Sequence, residues 1–205
     1  MTDNGLVHVI DDDTAVRESL DFLLASADLP VRTYSSAVEF LSAGIKDGTG
    51  CIVSDVRMPD MSGIELLRRL KADGILMPVI IMTGHGDVPL AVEAMKAGAF
   101  DFIEKPFDDD RLIGVARAAM KTGFLIGDRQ REQTHYRALI ETLSPRERDV
   151  LLGLVAGKPN KIIAYDLGIS PRTVEVYRAN LMQKMEADSL SDVVRFFLIS
   201  GLSSG

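Results

Sequence analysis

Cys-Ile-Val-Ser-Asp-Val-Arg-Met-Pro-Asp, residues 51–60, is the stretch whose reading decides the fold. An apolar run ends in one carboxylate, Asp55, and turns away at Met58-Pro59. The pattern predicts a buried strand delivering an acid to its C-terminal end, where open α/β sheets build their sites. Taken alone, Asp55 would read as a helix cap or turn residue. A second apolar run, Leu6 to Ile10, ends in Asp11-Asp12-Asp13. Two strands of one parallel sheet bring such carboxylates together.

Working outward, strands are predicted at 6–10, 31–34, 51–55, 78–83 and 100–104. Helices alternate with them. One carries Val16, Leu20, Leu23, Leu24 and Ala27 on one face. One starts at Ser36 with Val38, Phe40, Leu41 and Ile45 as its apolar positions. Others span 63–72, 88–97 with Gly98 as its stop, and Asp108 to about 120. Five short apolar strands alternating with five helices imply an α/β fold, a five-stranded parallel doubly wound sheet.

The C-terminal strand ends share one rim. It presents Asp11, Asp12 and Asp13 after strand one, Asp55 after strand three, Thr83 after strand four and Lys105 after strand five. Two carboxylates ~4 Å apart repel by about 4 kcal/mol at an effective dielectric of ~20, so the cluster needs a cation. Oxygen ligands suit Mg²⁺, or the similar Mn²⁺, which shares its coordination with phosphate. A divalent ion, a carboxylate nucleophile, a hydroxyl and a lysine are the equipment for forming an acyl phosphate on Asp55. The bland readings are helix capping by the aspartates, a strand-end hydroxyl at Thr83 and a surface lysine at 105. His85, between Gly84 and Gly86, reads as a loop histidine.

Composition narrows the classes. The chain has 205 residues, one large domain or two small ones, and 46% hydrophobic residues, enough for real cores. No apolar stretch approaches the ~20 residues that span a bilayer, and no basic-then-apolar leader opens the chain, so a cytoplasmic location without membrane contact is expected. The single cysteine, Cys51, excludes an intramolecular disulfide and a cysteine zinc cluster. Charge is uneven: 12 Lys and Arg against 20 Asp and Glu in residues 1–122, a net −8, and 11 against 10 in residues 123–205, a net +1. Any DNA binding by the second half must come from locally arranged charge.

The motifs Ile-Asp-Asp-Asp at 10–13, Asp-Val-Arg-Met-Pro at 55–59, Met-Thr-Gly at 82–84 and Glu-Lys-Pro-Phe at 104–107 resemble the receiver domain of two-component response regulators. The similarity covers about residues 5–122. It implies that Asp55 accepts a phosphoryl group from a sensor histidine kinase. It implies that Asp12, Asp55 and the backbone carbonyl of Arg57 bind Mg²⁺, with Asp11 acting through water. Thr83 and Lys105 would hold the phosphoryl oxygens, and Phe102 takes the aromatic switch position, often Tyr. Asp13 is peripheral by this resemblance, and Lys105-Pro106 is expected cis.

Residues 121–142 are polar and charged, interrupted by Gly123 and Gly127. They read as a helical linker that can continue the fifth helix rather than a disordered tail, with a break at Gly123 left open. Ser144-Pro145-Arg146-Glu147 forms a capping box opening a helix that stops near Gly157. A helix over 160–167 ends at Gly168, Ser170 caps another through about Met185, and Ser189 caps a last one with Leu190, Val193, Val194, Phe197 and Leu198. The middle pair predicts a helix-turn-helix within an all-α four-helix domain. In its second helix Val174, Leu181 and Met185 face the core and the remainder face elsewhere. The bland alternative is a solvated face on an interaction module.

Leu-Ser-Pro-Arg-Glu-Arg-Asp-Val-Leu at 143–151, Asn-Lys-Ile-Ile-Ala at 160–164 and Ser-Pro-Arg-Thr-Val-Glu-Val-Tyr-Arg at 170–178 resemble the LuxR/NarL-type DNA-binding domain, over about residues 138–202. The resemblance implies Lys161, Arg172, Thr173, Tyr177 and Lys184 near the DNA backbone, and Glu175, Val176, Arg178 and Ala179 toward bases. Tyr177 stands where His is frequent. The expected organisation is a receiver over 1–122, a linker over 123–142 and a DNA-binding domain over 143–205. The combination, with Thr-Gly-His-Gly-Asp-Val-Pro at 83–89, is similar to the FixJ group of regulators. That implies a FixL-like sensor kinase, promoter DNA, RNA polymerase and a homodimer formed on phosphorylation, in control of nitrogen-fixation or microaerobic genes. Competing readings are a Mg²⁺-dependent aspartate-nucleophile phosphohydrolase with an accessory helical domain, and a phosphorylation-dependent protein- or RNA-binding regulator. The first needs a second acid two residues after Asp55, where Arg57 stands.

Overall fold

The apolar runs of the first half pair side by side, as their length and the absence of interior Pro require. In the computed structural model, which describes residues 5–45, 49–84 and 88–203, they form β1 (Leu6–Ile10), β2 (Val31–Tyr34), β3 (Gly50–Asp55), β4 (Val79–Thr83) and β5 (Asp101–Glu104). The five are all parallel, in the order β2-β1-β3-β4-β5. Between and after them run α1 (Thr14–Ser26), α2 (Ala37–Ser42), α3 (Gly63–Ala72), α4 (Val88–Ala97) and α5 (Asp109–Glu141). This is the expected doubly wound sheet, with a core on each face. Ile10, Ile52 and Ile81 pack with α2, α3 and α4, while Val9, Val53 and Met82 pack with α1 and α5. His85 lies outside the described residues.

Local chemistry explains the helix starts. Asp13 and Ser36 cap α1 and α2, and Ser62 with Glu65 makes a capping box on α3. Val38, expected on the apolar face of α2, is 48% exposed, because a six-residue helix turns only Ala37 and Phe40 fully inward.

α5 answers the question left open at Gly123. It does not stop near 120 but runs 33 residues to Glu141, straight through Gly123. That glycine is there for close approach: a Cβ on it would lie 1.9 Å from the carbonyl oxygen of Gly50, at the start of β3.

The chain divides into two units, residues 1–128 and 129–205, so α5 contributes turns to both. In the second unit its last turns pack with α6 (Pro145–Val155), α7 (Asn160–Leu167), α8 (Pro171–Lys184) and α9 (Leu190–Ser200). Tyr136 stacks on Phe196, 4.0 Å between ring centroids, and Arg137 donates to the Ser200 carbonyl at 3.1 Å. The stretch expected as linker thus supplies part of this unit's core, including buried Ile140. In α9, Phe196 is buried and Leu198 is 67% exposed. Among the described residues no helix is long and apolar enough to cross a membrane.

One buried polar side chain stands apart from the rim. His8 of β1 is enclosed by Tyr34 and Phe40, with Nδ1 3.1 Å from the Tyr34 hydroxyl. Burial, helped by the Arg32 charge, lowers its pKa from 6.5 to about 4. Below the ordinary value the unfolded chain takes up a proton that the folded chain refuses. Stability therefore falls as pH drops from about 6.5 towards 4. Urea unfolding of the first unit is expected to lose about 2 kcal/mol between about pH 7 and 5. The loss should shrink in His8→Gln, and parallel pH profiles for the two proteins would refute it.

Candidate functional site

The strand order reverses between β1 and β3, and an open sheet has its crevice at that point, outside the carboxyl ends of the strands. The residues that end these two strands are the acids. Asp11 follows β1 and is 1% exposed, and Asp55 is the last residue of β3, also buried. Lys105 follows β5, its backbone N–H donating to the Thr83 carbonyl at 2.7 Å, and its bond to Pro106 is cis. Its ammonium lies between the two carboxylates, 2.8 Å from Asp11 Oδ2 and 2.5 Å from Asp55 Oδ1. Burial lowers the lysine's pKa, but the hydrogen bonds and charges of Asp55 and Asp11 outweigh it and hold the group above its ordinary value. It stays charged.

The other oxygen of Asp55 accepts from the Arg57 backbone N–H at 2.6 Å, which aims the carboxylate along the rim. Gly63, the first residue of α3, presses against this strand end: a Cβ there would lie 2.3 Å from the Asp55 carbonyl oxygen.

The three consecutive aspartates separate by role. Asp13 is the cap of α1, its Oδ1 accepting from Ala15 N at 2.8 Å and Val16 N at 3.4 Å. Asp12 is exposed. Asp11 alone of the three bonds to Lys105, and its Oδ1 also accepts from Asp13 N at 2.9 Å. Arg17, which sequence reasoning passed over, donates to the Asp11 carbonyl at 2.6 Å and the Thr14 hydroxyl at 2.8 Å, steadying the loop. Its one signal is a cation in the first turn of a helix that directly follows the three aspartates.

Among the described residues no group of three or more His, Cys, Asp or Glu side chains is arranged to hold a metal ion. The structure brings together two carboxylates, Asp11 and Asp55. An all-oxygen set of one or two carboxylates completed by water fits Mg²⁺, which sheds its waters reluctantly.

Thr83 ends β4 and is 2% exposed. It lines a cleft of about 490 Å³ with Val88, Val92 and Met95 of α4 and Phe102 of β5. The ring of Phe102 is half-buried at the edge of the core.

In the second unit, Gly168 closes α7 in the left-handed region, φ +66°, and Ser170 caps α8 by accepting from Thr173 N. That is a helix-turn-helix. Along α8, Val174 and Leu181 are buried, and Arg172, Glu175, Val176, Ala179, Asn180 and Gln183 are exposed on the opposite side. Lys161 is exposed on α7. Thr173 is half-buried with its hydroxyl 2.7 Å from that of Ser170, and Tyr177 packs against the core. Two of the expected DNA-contact residues also bond within the domain. Lys184 Nζ is 2.7 Å from Glu147 Oε2, and Arg178 is half-buried with Nη1 2.8 Å from Asn160 Oδ1. The hydrogen bond from Lys184 lowers the Glu147 pKa, so Glu147 stays ionised and keeps its place in the α6 capping box.

Residues 7–117 match the family described as response regulator receiver domain, and residues 141–197 match bacterial regulatory proteins of the luxR family. The chain is 58% identical to the transcriptional regulatory protein FixJ of Azorhizobium caulinodans over 197 residues, 96% of this chain and 93% of that protein. It is 52% identical to FixJ of Bradyrhizobium diazoefficiens over 202 residues, 98% of each. The solved structure of the response regulator StyR matches with a TM-score of 0.81 at 40% identity, covering 94% of this chain and 98% of that one.

Proposed function

The chain belongs to the response regulators, a FixJ-type regulator joining a receiver to a LuxR-type DNA-binding domain, and from that premise we propose that it is switched by phosphorylation of Asp55. The observation that carries this reading is the Lys105 ammonium shared by Asp11 and Asp55 at the crevice of the sheet.

A response regulator with a LuxR-type output domain pairs with a sensor histidine kinase and binds DNA. In transfer, a carboxylate oxygen of Asp55 attacks the phosphorus of the kinase's phosphohistidine. The P–N bond breaks, the imidazole leaves with the bonding pair, and an acyl phosphate forms. Receiver domains bind Mg²⁺ at the phosphorylation site. Here Asp12, Asp55 and the Arg57 carbonyl would hold it, with Asp11 acting through water, and it would offset the charge of the transferring group. Mn²⁺ suits the same donors.

Phosphorylated side chains carry about −1.5 to −2 charge, so the acyl phosphate draws harder on Lys105 than the carboxylate does. The Thr83 hydroxyl turns to the phosphoryl oxygens. Phe102 borders the same cleft as Thr83, which gives its ring space to turn inward. Val88, Val92 and Met95 of α4 are exposed apolar residues beside it, and the changed face over residues 88–121 forms a homodimer. Two recognition helices then meet half-sites about one helical turn apart. Glu175, Val176 and Ala179 face the bases, and Lys161 and Arg172 face the backbone with Thr173, Tyr177 and Lys184 close by. The finer partners are a FixL-like kinase and RNA polymerase, and the targets are nitrogen-fixation or microaerobic genes. The phosphohydrolase reading is not favoured, since Arg57 occupies the place of its second acid.

Sedimentation of the full chain with Mg²⁺, with and without beryllofluoride in place of the phosphoryl group, tests the switch. A monomer-to-dimer shift absent in Asp55→Asn is expected. An unchanged wild type would sink phosphorylation-driven dimerisation.

A further inference from the structure

Arg178 belongs to the recognition helix but not to its exposed row. At roughly 100° per residue, Arg172, Val176, Ala179 and Gln183 fall on one line of α8, and Arg178 lies about 100–160° round the helix from each of them. Its side chain is half-buried, and its guanidinium donates to Asn160 Oδ1 at 2.8 Å.

Asn160 is itself unusual in its use. An asparagine at a helix start ordinarily caps it. Here Pro159 holds the cap position without a side-chain bond, and Asn160 is the first helical residue. Its amide oxygen is turned to α8 instead. A guanidinium near the positive end of α7 is electrostatically disfavoured, and an oxygen acceptor there offsets that.

Resting on the reading that α8 contacts DNA, we propose that Asn160 is a positioning residue for recognition: it anchors Arg178 so that Arg178 braces α8 against α7 and does not itself read a base. The brace sets the rotation of the exposed row, and a side chain displaced by a fraction of an ångström loses a base-edge hydrogen bond.

The test uses the full chain with Mg²⁺ and beryllofluoride, and a duplex selected by the wild type from a random-sequence pool. Asn160→Ala and Arg178→Ala should each weaken binding to that duplex about tenfold, the scale of a charge-assisted hydrogen bond. The double variant should be no weaker than either single one, and Asn160→Asp, which keeps an acceptor, should restore most of the affinity. The salt slope should stay as in wild type and discrimination against other duplexes should relax alike in both single variants, with all variants fully folded by circular dichroism.

A direct contact would look different. If Arg178→Ala lowers the salt slope by about one, or relaxes preference at one base pair, while Asn160→Ala binds normally, Arg178 touches DNA and the proposal is overturned. Additive losses in the double variant also overturn it. If Glu175→Ala and Val176→Ala leave selected-site affinity untouched, α8 is not the reader and both this proposal and the DNA reading fall.

Discussion

The 205-residue chain carrying Asp55→Asn is expected to form no acyl phosphate when incubated with Mg²⁺ and phosphoramidate, a donor with the same P–N bond as phosphohistidine. Wild type should gain one phosphoryl group by intact mass. An amide oxygen is a poor nucleophile at phosphorus, so the loss should be complete. The neighbouring Asp11 is no substitute, being 1% exposed and bonded to Lys105 and to Asp13 N. The variant should still fold. Removing one of two facing carboxylates relieves repulsion, and Lys105 retains Asp11 as a partner at 2.8 Å. An unaltered melting temperature beside a null phosphorylation result separates a chemical loss from a structural one. A phosphoryl group gained at the wild-type rate would place the acceptor elsewhere.

The second large effect concerns Gly123, and two principles disagree about its sign. Helix propensity says that Gly→Ala inside α5 stabilises by about 1 kcal/mol. Packing says the reverse. The new Cβ would lie 1.9 Å from the Gly50 carbonyl oxygen, and the obstacle is backbone rather than a side chain able to swing aside. Gly50 itself has φ +134°, a conformation other residues rarely adopt, so β3 has little freedom to yield. Overpacking costs about 1–3 kcal/mol and occasionally more, and a clash of this kind belongs at or above the top of that range. Packing wins. Gly123→Ala is expected to destabilise the first unit by a net ~3 kcal/mol in urea unfolding. A variant as stable as wild type would show that α5 does not bear on β3 this closely.

The strands and helix starts were legible because their causes are local: apolar runs of strand length, Ser144 three residues before a Glu, and Gly168 after α7. The length of α5 was not. Gly123 and Gly127 look like breakers in one dimension, and only β3 lying against Gly123 shows what that residue is for. The rim was legible as a set, since strand ends in a parallel sheet must share one edge. Its internal assignment was not: Asp11, Asp12 and Asp13 are chemically the same, and what distinguishes them is the direction each takes after β1.

By itself, then, the order of residues determined the elements, their alternation and the chemistry at the rim, because periodicity, capping and turn formation act over a few residues. The pairing of charges came from tertiary structure. Lys105 meets Asp11 across 94 positions and Asp55 across 50, and Arg178 meets Asn160 across 18. A hydrogen bond is decided within tenths of an ångström. Such distances follow from how helices and strands pack, and spacing along the chain does not contain them.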